Sequence, residues 1–244
     1  MLIVDDDAAS AAAIAQLVSV LEHRAEVAAT PRRAIERALD PDVELACIDL
    51  SMRGMSGYYV FSRVRFRERA RRLAGVPMIA VGGRDALEER ARSLSIGFVA
   101  QLAKPVRVEI LQAVMARGHE LHAQLIRNRP SKNHFAILER VQSNVNGGGA
   151  CPITNRLARG RRLAFQGSDL LYRTLLASCG GARDDAIACC AQLTSIAHGI
   201  GASYLASLAS EIMAAIDGSA EQLERCIVLA KAELDRVVFT LQEP

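Results

Sequence analysis

The sequence predicts an α/β domain followed by an all-α domain. Two observations carry this. In the first half, short apolar runs alternate five times with longer segments of helical character, the pattern of a doubly wound, five-stranded parallel sheet with helices on both faces. From Ser168 onward the strand pattern is gone. Apolar helical segments are separated only by turns at Gly180-Gly181 and Asp217-Gly218-Ser219, as in an antiparallel, four-helix-bundle-like domain.

The elements follow in order. Leu2–Val4 reads as a strand and Ala8–Leu21 as an Ala-rich helix. Glu26–Ala29 is a weak strand. Thr30 is placed to cap a helix over Pro31–Leu39, with proline at its first position. Leu45–Ile48 is a buried strand, and Gly57–Leu73 is a helix carrying Arg63, Arg65, Arg67, Arg69, Arg71 and Arg72. Met78–Val81, Ala86–Leu94 and Phe98–Leu102 continue the alternation, and Val106–Arg127 is a long last helix with an apolar stripe from Ile110 to Leu125. Asn128-Arg129-Pro130-Ser131 breaks that helix and Asn146 to Gly149 is flexible in composition, with a short helix predicted between them at His134–Val145. Beyond the linker, Ser168-Asp169 reads as a cap for Leu170–Ser178. Further helices are expected over about 184–198, 202–216 and 220–241. The predicted organisation is therefore a domain at 1–126, a linker at 127–150 and a bundle at 151–244.

Composition narrows the function. No apolar stretch approaches the roughly 20 residues of a membrane span, and the chain starts in a strand without a secretory leader pattern. The six cysteines have no metal spacing and several lie on apolar faces, which reads as reduced thiols of a cytoplasmic protein. Net charge is +3, unevenly spread: 17 basic and 16 acidic residues in 1–126, eight and one in 127–162, five and ten in 163–244. An acidic C-terminal part argues against nucleic acid as its partner, because binding phosphates takes Lys and Arg.

The chemistry lies in the first half. Asp5-Asp6-Asp7 follows one strand, Asp49 follows another, and Lys104-Pro105 follows a third. Parallel strands bring those ends to one edge of the sheet, where open α/β sheets bind ligands. Clustered carboxylates repel one another and call for a cation such as Mg²⁺, and a lysine beside them offers a point charge for phosphate.

This constellation, with the run Asp49-Leu50-Ser51-Met52-Arg53-Gly54-Met55-Ser56-Gly57, resembles the receiver domain of two-component response regulators, of flavodoxin-like, CheY-like fold. The resemblance covers about residues 1–125. It implies that Asp49 is the phosphoacceptor, forming an aspartyl phosphate. It implies that Asp5, Asp6, Asp49 and the backbone carbonyl of Ser51 hold Mg²⁺, and that Lys104 pairs with the phosphoryl oxygens. Partners would be a sensor histidine kinase or a phosphotransfer protein, with other signalling proteins downstream and a homodimer compatible with the family. Two positions depart from it. Gly82 stands where the family has a Ser or Thr that bonds the phosphoryl group, and Gln101 stands where it has an inward-turning Tyr or Phe. Arg53 replaces a common proline.

The C-terminal half is similar to a histidine phosphotransfer (HPt) domain. Counting back ten residues from Gly201-Ala202 puts Ala191 in the acceptor place, with Leu193 matching and Thr194-Ser195 replacing Lys-Gly. A competing register uses His198. The first implies a non-enzymatic interaction module coupled to the receiver. The second implies an active phosphorelay carrier moving phosphate between Asp49 and His198. A third alternative is an atypical transcriptional regulator. His119 and His122, one helical turn apart, are a weaker metal candidate, and the arginine run reads mainly as a solvated face.

Overall fold

The structure is a computed structural model. It describes residues 1–71, 73, 75–83, 87–127 and 153–242, with the backbone alone at 121–122, 124–127, 153–159, 161–162, 239–240 and 242. Contacts divide it into two units, Met1–Ser93 with Phe98–Arg127, and Asn128–Pro244 with Leu94–Gly97. The predicted linker and the helix expected at 134–145 lie outside the described residues.

The first unit holds five strands, β1 (Leu2–Val4), β2 (Glu26–Ala28), β3 (Ala46–Asp49), β4 (Met78–Gly82) and β5 (Ala100–Ala103). Its helices are α1 (Ala8–Val20), α2 (Pro31–Arg37), α3 (Gly57–Ala70), α4 (Leu87–Ile96, of which Leu94–Ile96 group with the second unit) and α5 (Val108–Arg127). All strand pairs are parallel, in the order β2-β1-β3-β4-β5. Register sets Leu2 against Ala46, Ala46 against Met78 and Ile79 against Ala100. The central strands β1, β3 and β4 are buried along their whole length, which is why they read as unbroken apolar runs without alternation. Edge strand β2 is the partly exposed one, hence its weak signal.

Local chemistry explains the helix starts. Asp7 caps α1 by accepting from the Ala9 N–H, and the Thr30 hydroxyl accepts from the Arg33 N–H ahead of Pro31 in α2. Helices cover the sheet with Ile14 and Val18 of α1, Val60, Phe61 and Val64 of α3, Ala91 and Leu94 of α4, and Leu111 and Met115 of α5, all buried. Phe61 packs on Phe98 with ring centroids 4.4 Å apart. The arginine run on α3 does not act as one group. Arg65 bonds Glu68 and the Val76 carbonyl inside the fold, whereas Arg63 lies over the Phe66 ring.

The second unit contains α6 (Ile153–Cys179), α7 (Arg183–Gly199), α8 (Ser203–Ala215) and α9 (Ala220–Gln242). Each packs on the next, and α9 returns to α6, closing a four-helix arrangement. Its core is built of leucines and small residues, among them Leu171, Leu175, Ala186, Cys190, Leu193, Leu205, Leu208, Ile212, Ile227 and Leu234. One expectation is corrected here. Ser168-Asp169 does not begin a helix, because α6 runs through it. Packing is the reason: a Cβ at Gly167 would stand 2.6 Å from Leu234 Cδ2, so this glycine lets α6 and α9 approach closely and the helix continues across the local cap signal.

Candidate functional site

The strand order reverses between β1 and β3, and that crevice is where the acidic residues meet. Asp5 and Asp6 follow β1, and Asp49 is the last residue of β3. Each offers a carboxylate oxygen within 4.8 Å of the other two. Among the described residues this is the one cluster of three or more ligating side chains. Lys104, just past β5, donates from Nζ to Asp5 Oδ2 at 2.9 Å and to Asp49 Oδ2 at 3.0 Å. The ammonium therefore sits between two buried carboxylates. Its burial works against the charged form, but hydrogen bonds to Asp5 and Asp49 outweigh that and raise its pKa. The Lys104-Pro105 peptide is cis.

The remaining carboxylate oxygens are held in place. Asp5 Oδ1 accepts from the Asp7 N–H at 2.9 Å, and Asp5 Oδ2 also accepts from the Ser10 hydroxyl at 2.6 Å. Asp49 Oδ1 accepts from the Ser51 N–H at 3.0 Å, so Ser51 turns back over the Asp49 carboxylate directly after the strand. Gly57 opens α3 against the Asp49 carbonyl, where a Cβ would come within 2.2 Å of the carbonyl oxygen. No other residue fits there, and Gly54, with φ +79°, makes the turn that brings it in.

Two functional neighbours carry little signal in the sequence. Arg53 closes on Asp6, its backbone N–H at 3.0 Å and its Nε at 3.2 Å from Oδ2. The backbone bond first, then the side-chain bond and charge of Arg53, hold the Asp6 carboxyl below the usual carboxylate range despite some desolvation. The only sequence signal is the replacement of a proline. Ser10 carries no signal beyond its spacing from Asp5.

A divalent cation fits this donor set. The three carboxylates each bring an oxygen within 4.8 Å of the others, and carboxylate oxygens are the ligands that Mg²⁺ takes, at about 2.1 Å each. Both Arg53 bonds fall on Asp6 Oδ2, which leaves Oδ1 to the ion.

The two substituted positions are neighbours in space. Gln101 is buried in β5, and its Oε1 accepts from the Ser93 hydroxyl of α4 at 2.8 Å. Gly82 ends β4 beside it. Tyr58, at the start of α3, lies under the Arg92 guanidinium, whose Cζ is 5.0 Å from the tyrosine ring centroid, and its hydroxyl is buried without a hydrogen-bond partner among the described residues. Burial, aided by the charge of Glu89, pushes its pKa up to about 12.

This geometry agrees with what the sequence matches. Residues 1–116 match the response regulator receiver domain. This part of the chain is a receiver domain. Similar solved structures include a CheY-like receiver domain protein from Methanospirillum hungatei JF-1, at 25% identity over 50% of this chain and 94% of that one, TM-score 0.43. The chemotaxis response regulator CheY4 of Vibrio cholerae is similar at 21% identity, over 48% of this chain and 95% of its own, TM-score 0.42. A co-crystal of the Saccharomyces cerevisiae phosphotransfer protein Ypd1 with the receiver domain of Ssk1 is similar at 20% identity, over 48% and 86%, TM-score 0.44. No curated protein matches the chain.

In the second unit, Ala191 lies at the middle of α7, eight residues from Arg183 and eight from Gly199, and is exposed. His198 is exposed in the last turn of the same helix. The His119 ring lies 6.4 Å from that of His23, and no third ligand joins them among the described residues. The His122 side chain lies outside the described set. No helix among the described residues is long and apolar enough to cross a membrane.

Proposed function

We propose that this chain is a two-component signalling protein in which phosphorylation of Asp49 controls an interaction module built from the helical bundle. The observation that carries the reading is the Lys104 ammonium held between Asp5 and Asp49 within a cluster of three carboxylates. In the reaction, an Asp49 carboxylate oxygen attacks the phosphorus of a phosphohistidine on a sensor kinase or phosphotransfer protein. The P–N bond breaks, its electron pair stays on the imidazole, and Asp49 becomes an acyl phosphate. Lys104 moves from Asp49 Oδ2 to a phosphoryl oxygen and neutralises part of its charge. A Mg²⁺ ion held by Asp5, Asp6, Asp49 and the Ser51 carbonyl would offset the rest. The chain is then a stoichiometric acceptor and not an enzyme acting on an external substrate.

The bundle, on this reading, binds a protein and carries no phosphate, because the exposed centre of α7 presents the methyl group of Ala191. The alternative, a relay from Asp49 to His198, rests on the solvent exposure of His198. One experiment addresses both. The full chain is incubated with acetyl phosphate and Mg²⁺, and the intact mass and phosphosite are read. A single phosphoryl group that is lost in Asp49→Asn and absent from His198 is the expected result. No adduct, or an adduct surviving Asp49→Asn, removes the reading of Asp49 as the phosphoacceptor. Acid-labile label on His198 that disappears in His198→Ala establishes the relay.

A further inference from the structure

Gly82 borders the acceptor pocket. Its carbonyl accepts from the Lys104 backbone N–H at 2.8 Å, and the ammonium of the same lysine touches Asp49 at 3.0 Å. A Cβ at position 82 would stand 3.0 Å from Glu89 Oε2 and 3.3 Å from Gln101 Nε2. An amide and a carboxylate thus crowd the space where a side chain at 82 would begin. Gln101 reaches it because it pairs in register with Ala80, two residues before Gly82, and residues two apart share a face of the sheet.

The two ends of the Gln101 amide are held unequally. Oε1 takes a 2.8 Å bond from the hydroxyl of Ser93, which is fully buried in α4. Nε2 donates to Glu89 Oε2 at 3.5 Å, the length of a weak bond. Charge chemistry dictates this orientation: a carboxylate only accepts, so the NH₂ must face Glu89 and the carbonyl must face the hydroxyl. The amide is therefore anchored at its oxygen and loosely tethered at its nitrogen, with a donor beside the pocket.

We propose that the Gln101 amide is the hydrogen-bond donor for the phosphoryl group on Asp49, replacing the side chain that Gly82 lacks, and that Glu89 holds this amide until the phosphoryl group arrives. This rests on Asp49 being the phosphoacceptor. A phosphoryl oxygen is a charged acceptor and forms a shorter, stronger bond than the long one to Glu89. The phosphoryl group and the Glu89 carboxylate also repel each other. Both effects move Nε2 from Glu89 to the phosphoryl group while Ser93 keeps Oε1 in place. Glu89, on the first turn of α4, then loses its tie to β5. Phosphorylation thus reaches α4 by exchange of one hydrogen bond, and the ligand interacts differently with the two states, as any switch requires.

The test is binding of beryllofluoride with Mg²⁺ to the full chain, followed by ¹⁹F NMR. Losing one charge-assisted hydrogen bond should weaken binding about tenfold or more in Gln101→Leu. Glu89→Gln should tighten it several-fold by replacing a charged acceptor with a weaker neutral one and removing the repulsion, an effect that misfolding does not produce. Adding Gly82→Ser to Gln101→Leu should restore much of the affinity, since only the flexible end of Glu89 must shift to admit it. Wild-type affinity in Gln101→Leu, or no tightening in Glu89→Gln, overturns the proposal. If wild type takes up neither beryllofluoride nor a phosphoryl group from acetyl phosphate, the phosphorylation reading itself fails, and this proposal falls with it.

Discussion

Asp49→Asn should make the metal-free receiver more stable while removing most of its response to Mg²⁺. Two unit charges 4.8 Å apart, the outer limit of the separations here, repel by about 3.5 kcal/mol at an effective dielectric of about 20. Asp49 faces two such partners, Asp5 and Asp6. Its contact with Lys104 at 3.0 Å returns about 5.5 kcal/mol on the same scale. The difference favours the neutral amide by about 1–2 kcal/mol, and solvent screening brings it toward about 1 kcal/mol. The substituted amide keeps an oxygen for the Ser51 N–H; its NH₂ cannot accept from Lys104, whose ammonium retains Asp5 Oδ2 as acceptor. In wild type, Mg²⁺ at about ten times its dissociation constant adds about 1.4 kcal/mol, and the variant should show only a small part of this. The assay is native-state hydrogen exchange of the β3 amides in the full chain, in EDTA and in Mg²⁺, because local opening of that strand reports the receiver unit alone. If Asp49→Asn exchanges faster than wild type in EDTA, the attraction of Lys104 outweighs the repulsion and the reasoning fails. If both proteins gain equally from Mg²⁺, the ion does not sit at these carboxylates.

Three further outcomes follow from individual contacts. Gly57→Ala should destabilise the receiver by about 2 kcal/mol or more and reduce phosphoryl uptake, since its Cβ meets the Asp49 carbonyl oxygen at 2.2 Å and backbone must move; wild-type melting and uptake would refute this. Tyr58→Phe should be neutral or stabilising by up to about 1 kcal/mol, because the hydroxyl it removes is buried without a partner, whereas a clear loss in urea unfolding would mean that the hydroxyl is bonded. Asp6 has a lowered pKa, so its contribution to stability is present above the ordinary value of 3.8 and is lost as pH falls through the lower folded value; Arg53→Ala keeps the backbone bond, the larger cause, so it should move the Asp6 carboxyl titration, followed by NMR, only part of the way back up and tighten Mg²⁺ binding.

Much of this protein is legible along the chain because its signals are local. Strands β1, β3 and β5 appear as apolar runs, and the site residues stand at or just after their ends, so the order of residues alone places Asp5, Asp6, Asp49 and Lys104 at one sheet edge. The cap at Thr30 and the turns at Gly180-Gly181 and Asp217-Gly218-Ser219 likewise act within a few residues. Gly82 and Gln101 are visible as departures from a pattern. What the chain alone does not disclose is how those departures compensate each other. The Ser93–Gln101–Glu89 contacts join β5 to α4, and the Arg53–Asp6 contact spans 47 residues. Such pairings depend on strand order, register and rotamer, which are set by the packed fold and not by neighbours in sequence. The same holds for α6, where Ser168-Asp169 has the local chemistry of a cap but the fit of Gly167 against Leu234 keeps the helix whole. Sequence by itself determined which groups stand at the site; tertiary packing decided which of them touch, because a hydrogen bond is settled within a few tenths of an ångström and periodicity locates a side chain only to a face.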